Sequence, residues 1–144
     1  MKLIMIVRGH PRPQPRPVFT RGRVISTANP LAAAWKAKIK STAAQINMTI
    51  PPGPVSCTMW FKVPHKDPAR HGKAHTQVPD LDNLAKLALD AIQDTGLLAN
   101  DSQVARLTLD KTWSDQADAG LIIELEPWTP KQSWPGFPVP GWIN

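Results

Sequence analysis

Two carboxylates one residue apart, Asp80 and Asp82, stand in the stretch Pro79-Asp80-Leu81-Asp82-Asn83-Leu84-Ala85-Lys86. The stretch reads as a helix start, with Lys86 one turn on. A third acid, Asp101, follows a loop in Asn100-Asp101-Ser102-Gln103. Free N–H groups at a helix start favour anions and keep carboxylates ionised. Two or three carboxylates, with waters and a phosphate oxygen, make an octahedral oxygen site of the kind Mg²⁺ prefers. Such an ion polarises a phosphoryl group and lowers the pKa of a bound water, which is the chemistry of phosphodiester hydrolysis. Lys86 can reach the same pocket, to stabilise transition-state charge or position the attacking water. Taken alone, the same residues also make an N-cap, solvated carboxylates and an i,i+4 ion pair of Lys86 with Asp82 or Asp90, worth about 0.2–0.5 kcal/mol.

The charge distribution favours the metal-nuclease reading. The chain has 144 residues and a net charge of +6. Its first acid is Asp67; eleven bases and no acid precede it, so the front carries +11. From Asp67 onward eleven acids face six bases, for −5. Such polarity draws a polyanion onto one face and leaves an acidic pocket for a cation. Without a partner it would be a solvated basic face.

These residues need a scaffold, and the length allows one domain with one core. Residues 2 to 8 read as a first strand. The run Arg8-Gly9-His10-Pro11-Arg12-Pro13-Gln14-Pro15-Arg16-Pro17 must be extended, because its prolines exclude helix and central strand. Its arginines are spaced to meet successive phosphates. Val18 to Ile25 predicts a hairpin turning at Gly22. Asn29-Pro30 predicts an N-cap and first helical position. The helix after it runs to about Ile46, with Leu31, Ala34, Trp35, Ile39 and Ala43 facing inward.

Val55 to Val63 is a buried strand. Its Cys57, the chain's single cysteine, reads as a core thiol. The loop from His65 to Val78 is polar and basic, and the spacing of its three histidines is weak for a metal site. A second helix runs from near Asp82 to before Gly96, with Leu84, Leu87, Ala88, Ala91 and Ile92 inward and Asp82, Lys86 and Asp90 striped opposite. Leu89 falls on the polar side and is a candidate subunit contact. Gly96 suits a left-handed helix stop. Gln103 to Trp113 and Leu121 to Glu126 complete the strands.

Residues 1–126 therefore read as one α/β (α+β) domain: a mixed sheet of about four core strands with two main helices. Residues 127–144 form a Pro/Trp-rich tail, expected to pack back on the domain. No apolar run approaches the roughly 20 residues of a membrane span. The N-terminus lacks a small-residue cleavage site, so a cytoplasmic protein is expected.

The chain resembles the RusA family of Holliday-junction resolvases, common in phages and prophages. The match is Pro-Asp-Leu-Asp-Asn-Leu-x-Lys at Pro79 to Lys86, continuing through Leu89-Asp90-Ala91 to Gly96, Asn100-Asp101 and Ser102-Gln103-Val104. Gly9, the proline and arginine run and Arg21-Gly22-Arg23-Val24 are also family-like, and the similarity covers roughly residues 3 to 126. The resemblance implies a homodimeric, Mg²⁺-dependent crossover-junction endodeoxyribonuclease, with Mn²⁺ as a possible substitute. It would cut paired strands of a four-way DNA junction symmetrically, in recombination and repair in the bacterial cytoplasm at the nucleoid. By position, Asp80, Asp82 and Asp101 would be the metal-binding catalytic acids and Lys86 the catalytic lysine.

DNA contacts are expected at Arg8, Arg12, Arg16, Arg21, Arg23, Arg70, Lys73 and His75. Two departures stand out. Asn100 occupies the place of an aspartate frequent in the family. Val78 stands where a basic residue often precedes the proline, a charge that His75 or Lys73 would supply. The alternatives are a junction-binding protein without catalysis and a nuclease acting on flaps or forks.

Overall fold

A computed structural model describes residues 1–25 and 29–130. Strand β1 (Leu3–Arg8) alternates buried and exposed side chains, the period-two signature of a sheet with one covered face. A hairpin follows, β2 (Val18–Thr20) and β3 (Arg23–Ile25). Its two-residue turn places both Arg21 (φ 53) and Gly22 (φ 75) in the left-handed region, the turn that matches strand twist in short hairpins.

Helix α1 (Pro30–Ala44) starts as its sequence dictates. The Asn29 side chain accepts hydrogen bonds from the Leu31 and Ala32 amides, and Pro30 needs no acceptor for an amide it lacks. Its inward face is Ala32, Trp35, Ile39 and Ala43. This corrects the expected stripe: Leu31 and Ala34 are exposed, because 32, 35, 39 and 43 align more closely along one side of a 3.6-residue helix. The helix also stops earlier, with Gln45 as C-cap.

Strand β4 (Val55–Pro64) leads through the histidine loop to α2 (Leu81–Asp94), which returns the chain to β5 (Val104–Ser114) parallel to β4. Strand β6 (Gly120–Pro127) then inserts between β1 and β4, antiparallel to both, giving the order β1-β6-β4-β5. The mixed four-stranded sheet with two helices is the architecture expected. Gly96 has φ 78 just beyond α2, the left-handed stop expected there.

The core is built in cross-strand rows. Leu3, Leu125 and Cys57 form one; Met5, Ile123 and Met59 the next; Val7, Leu121 and Phe61 the third. All are buried, together with Trp35 and Ile39 of α1 and Leu84, Leu87, Ala88, Ala91 and Ile92 of α2. Burial pushes the Cys57 thiol up to about 12, as expected of an inert core cysteine. On the sheet's other face Ile4, Ile6 and Trp60 are exposed. Leu89, on the same side of α2 as Asp82, Lys86 and Asp90, is partly buried and packs against the core. Gly120 lies so close to β1 that a Cβ there would sit 2.1 Å from the Val7 carbonyl oxygen.

Residues 128–129 return to the domain. The Trp128 amide donates to Pro54 O at 3.0 Å, and Arg106 Nη2 donates to Thr129 O at 3.1 Å. The expected packing of the tail from 131 to 144 lies outside the described residues. Among the described residues no helix is long and apolar enough to cross a membrane.

Candidate active site

Asp80 occupies the N-cap of α2, yet its side chain makes no capping hydrogen bond. An N-cap aspartate ordinarily accepts from the second or third helical amide. Here the carboxylate is exposed and left for another partner. Asp82 lies in the first helical turn, where the helix dipole favours its charge. Its carboxylate is 74% exposed and meets Arg16: Nη2 is 3.2 Å from Asp82 Oδ2, and Arg16 Nε donates to Asn83 Oδ1 at 2.9 Å. The Gln14 amide donates to Asn83 O at 3.0 Å. The proline-rich segment thus lies across the start of α2. With Asp82 and Lys86 it walls a cleft of about 560 Å³.

Lys86 pairs with Asp90 rather than Asp82, loosely, at 3.8 Å, with 63% of its side chain exposed. A second trough, about 210 Å³, runs along α2 beneath β5 and is lined by Asp82, Lys86, Asp90 and Asp101 among others. Asp101 opens a short 3₁₀ turn capped by Asn100, whose side chain accepts from the Ser102 amide while Gln103 reaches back to the Asn100 amide. Asn100 therefore serves as a cap. The Asp101 amide donates to Gln93 Oε1 at 3.3 Å. Gln93 lies eleven residues beyond Asp82, roughly 16 Å along the helix axis. Asp82 and Asp101 both line that trough, and Asp80 is outside its lining. Among the described residues no three His, Cys, Asp or Glu side chains gather to hold one ion. The donors present are exposed carboxylate oxygens, the chemistry that suits a hard divalent cation.

The expected DNA contacts are scattered. Arg21 and Arg23 are exposed on the hairpin, Arg12 is half-buried, and Arg70 and Lys73 are exposed on the histidine loop. Arg8 donates to Ala117 O at 3.2 Å and lies 3.5 Å from Asp118, which Lys62 also meets at 3.2 Å. These two cations hold the Asp118 carboxyl below the ordinary range, Lys62 foremost. His75 is 5% exposed, its ring 3.9 Å from that of Trp113. Burial, and then the Lys111 cation, lower its pKa. The other loop histidines shape the backbone: His65 Nδ1 accepts from the Asp67 amide, and His71 Nε2 is 2.7 Å from His65 O.

Sequence reasoning missed Lys111. Its ammonium donates to Gln77 O and Pro79 O, each at 2.7 Å, and lies near enough to Asp80 for the carboxylate to raise its pKa, against a larger lowering by burial. The available signal was its place in the alternation, two residues after Leu109 and four after Leu107.

No curated protein matches the chain. The model of the endodeoxyribonuclease RusA family matches residues 8–126, a span that contains Asp80, Asp82, Lys86 and Asp101, and the chain belongs to that family.

Proposed function

We propose that this RusA-family endonuclease resolves four-way DNA junctions by paired, symmetric phosphodiester hydrolysis, as a Mg²⁺-dependent homodimer acting in recombination and repair. The observation that carries the reading is the uncapped Asp80 carboxylate beside exposed Asp82, at a helix start crossed by an arginine-bearing arm. Asp80, Asp82 and Asp101 are the acids assigned to the metal. Bound there, Mg²⁺ supplies Lewis acidity to a phosphoryl oxygen and to the attacking water.

The chain's own residues do the rest. Lys86, exposed and only loosely paired, can turn toward a phosphate at the cleft and offset its developing charge. Arg12, Arg16, Arg21, Arg23, Arg70 and Lys73 hold the phosphate backbone and fix its register. The α2 N-terminus directs amides at the same anion. Two symmetric cuts require two sites related by a two-fold axis, and the exposed Ile4, Ile6 and Trp60 on the uncovered sheet face supply apolar area for a subunit contact. Residues 1–126 form the nuclease unit and residues 127–144 an appended tail, in a protein that works on DNA in the bacterial cytoplasm.

The test is cleavage of a labelled four-way junction beside linear duplex of the same sequence and a flap and fork panel, with Mg²⁺ and with EDTA. Paired symmetric nicks on the junction alone, lost in EDTA, are expected. Preferential cutting of flaps or forks would replace the substrate assignment. Junction binding without cutting in Mg²⁺ and Mn²⁺ would leave a junction-binding protein.

A further inference from the structure

Lys111 stands in a cross-strand row whose other members are hydrocarbon. In the sheet register it continues the row Val7, Leu121, Phe61, whose three members are buried on the helix-covered face. A lysine there gives up part of its hydration, which is why burial is the main influence on its pKa. An apolar residue would bear no such cost.

What the lysine does in return is specific. The backbone of β5 already pairs with the histidine loop: Gly72 N donates to Trp113 O, Trp113 N to Lys73 O, and His75 N to Lys111 O, at 2.9 to 3.0 Å. Beyond His75 the chain leaves that ladder and turns toward α2. There the Lys111 ammonium donates to Gln77 O and Pro79 O, both at 2.7 Å. Pro79 immediately precedes Asp80, whose own carbonyl accepts the first α2 hydrogen bond from Leu84 N at 3.1 Å.

We propose that Lys111 is a positioning residue for Asp80, acting from β5 to fix the peptide that delivers this carboxylate to the metal. The proposal rests on the assignment of Asp80 as a metal-holding acid. Charge and position act in opposite senses, which makes the role separable. A cation near Asp80 repels a divalent ion, so by Coulomb's law alone its removal would tighten metal binding. If Lys111 works by holding the Pro79–Asp80 backbone, its removal weakens binding, by about tenfold where an outer-shell support of a ligand is removed.

The experiment is Mn²⁺ binding to the metal-free full-length protein, read by electron paramagnetic resonance, for wild type, Lys111→Met, Lys111→Arg and Asp80→Asn. Junction affinity in EDTA and thermal melting are measured on each. Weaker Mn²⁺ binding by about tenfold in Lys111→Met, smaller loss in Lys111→Arg, and junction affinity in EDTA close to wild type are expected. Mn²⁺ binding equal to or tighter than wild type in Lys111→Met overturns the proposal, and a lowered melting point with unchanged Mn²⁺ affinity does so as well, by showing a purely structural lysine. Should Lys111→Met not fold, Lys111→Gln carries the same comparison. Wild-type Mn²⁺ binding in Asp80→Asn would remove the assignment of Asp80 itself; loss there with Lys111→Met unaffected removes only the positioning role.

Discussion

Arg16 and Asp82, 66 residues apart in the chain, meet at 3.2 Å over the start of α2. The guanidinium proposed as a DNA contact on the proline-rich arm is therefore shared with a carboxylate assigned to the metal. Both side chains are more than half exposed, so the pair contributes little to stability, about 0–1 kcal/mol. Its consequence is competition for Asp82. Arg16→Ala is expected to lower the Mg²⁺ concentration needed for half-maximal cutting. The same variant should weaken junction binding and flatten the log–log salt dependence by about 0.9 for each phosphate it no longer neutralises. Titrations of cleavage against Mg²⁺ and of binding against salt check both. An unchanged salt slope would remove Arg16 from the DNA interface, and an unchanged Mg²⁺ requirement would end the competition.

Asp82→Asn tests the catalytic assignment from the other partner. The amide keeps the shape and removes the charge that Arg16 meets. Cutting should fall by at least about a hundredfold, a barrier increase of roughly 2.7 kcal/mol. Junction affinity in EDTA should stay equal or become tighter, since one negative charge near phosphate is gone. Asp101→Asn belongs in the same series, because Asp101 lines the same trough as Asp82. Gel-shift and cleavage assays on one preparation separate binding from chemistry. Lost binding in Asp82→Asn would make Asp82 a residue of the fold.

Much of this arrangement was legible in the sequence where the determinant is local. Asn29-Pro30 as a helix start, the Arg21-Gly22 turn, Gly96 as a helix stop and the apolar face of α2 all depend on a few adjacent residues. The insertion of β6 between β1 and β4 was not legible, since pairing between distant strands leaves no local mark in an alternating pattern. On α1, Trp35, Ile39 and Ala43 face inward as expected, but Ala32 takes the place of Leu31 and Ala34, because the alanine-rich sequence gives several nearly equivalent stripes. In the site, the acids were visible by type and spacing. Their partners were not: Arg16 reaches Asp82 and Lys111 reaches Pro79 only through tertiary contacts. Around Asp101 the Asn100-x-x-Gln103 spacing of a capping box was the local sign that Asn100 would serve as a cap, overlooked in favour of its place in the family pattern.

His75 ties stability to pH. Burial, then the Lys111 cation, lower its folded pKa below the ordinary 6.5, so the fold holds a neutral imidazole. The unfolded chain takes up a proton near pH 6.5. Stability from this group is therefore complete above about pH 6.5, falls as the pH drops below it, and levels once the folded pKa is passed. The slope is at most about 1.4 kcal/mol per pH unit. Urea unfolding at several pH values should show this slope in wild type and a shallower one in His75→Phe, whose ring can retain the packing on Trp113. Equal slopes in the two proteins would show that His75 does not titrate differently on folding.

Gly120 opens β6 opposite Arg8, with φ 152 and no room for a side chain. The obstacle to a Cβ is the backbone itself, Val7 O at 2.1 Å and Arg8 Cα at 3.0 Å, and backbone in a sheet cannot swing aside as a side chain can. Gly120→Ala must either part β1 from β6 at this end or strain the residue, at a cost of about 2–5 kcal/mol from overpacking and backbone strain together. For a domain of this size that is a fall in thermal midpoint of roughly 10 °C. Gly22→Ala is the matched control: its φ is also positive, but a Cβ there meets nothing within 4 Å, so its loss should be confined to the conformational term of about 1 kcal/mol. Calorimetry of the two variants decides the matter. Equal midpoints would mean that the approach of β1 to Gly120 is not a tight contact of the folded chain.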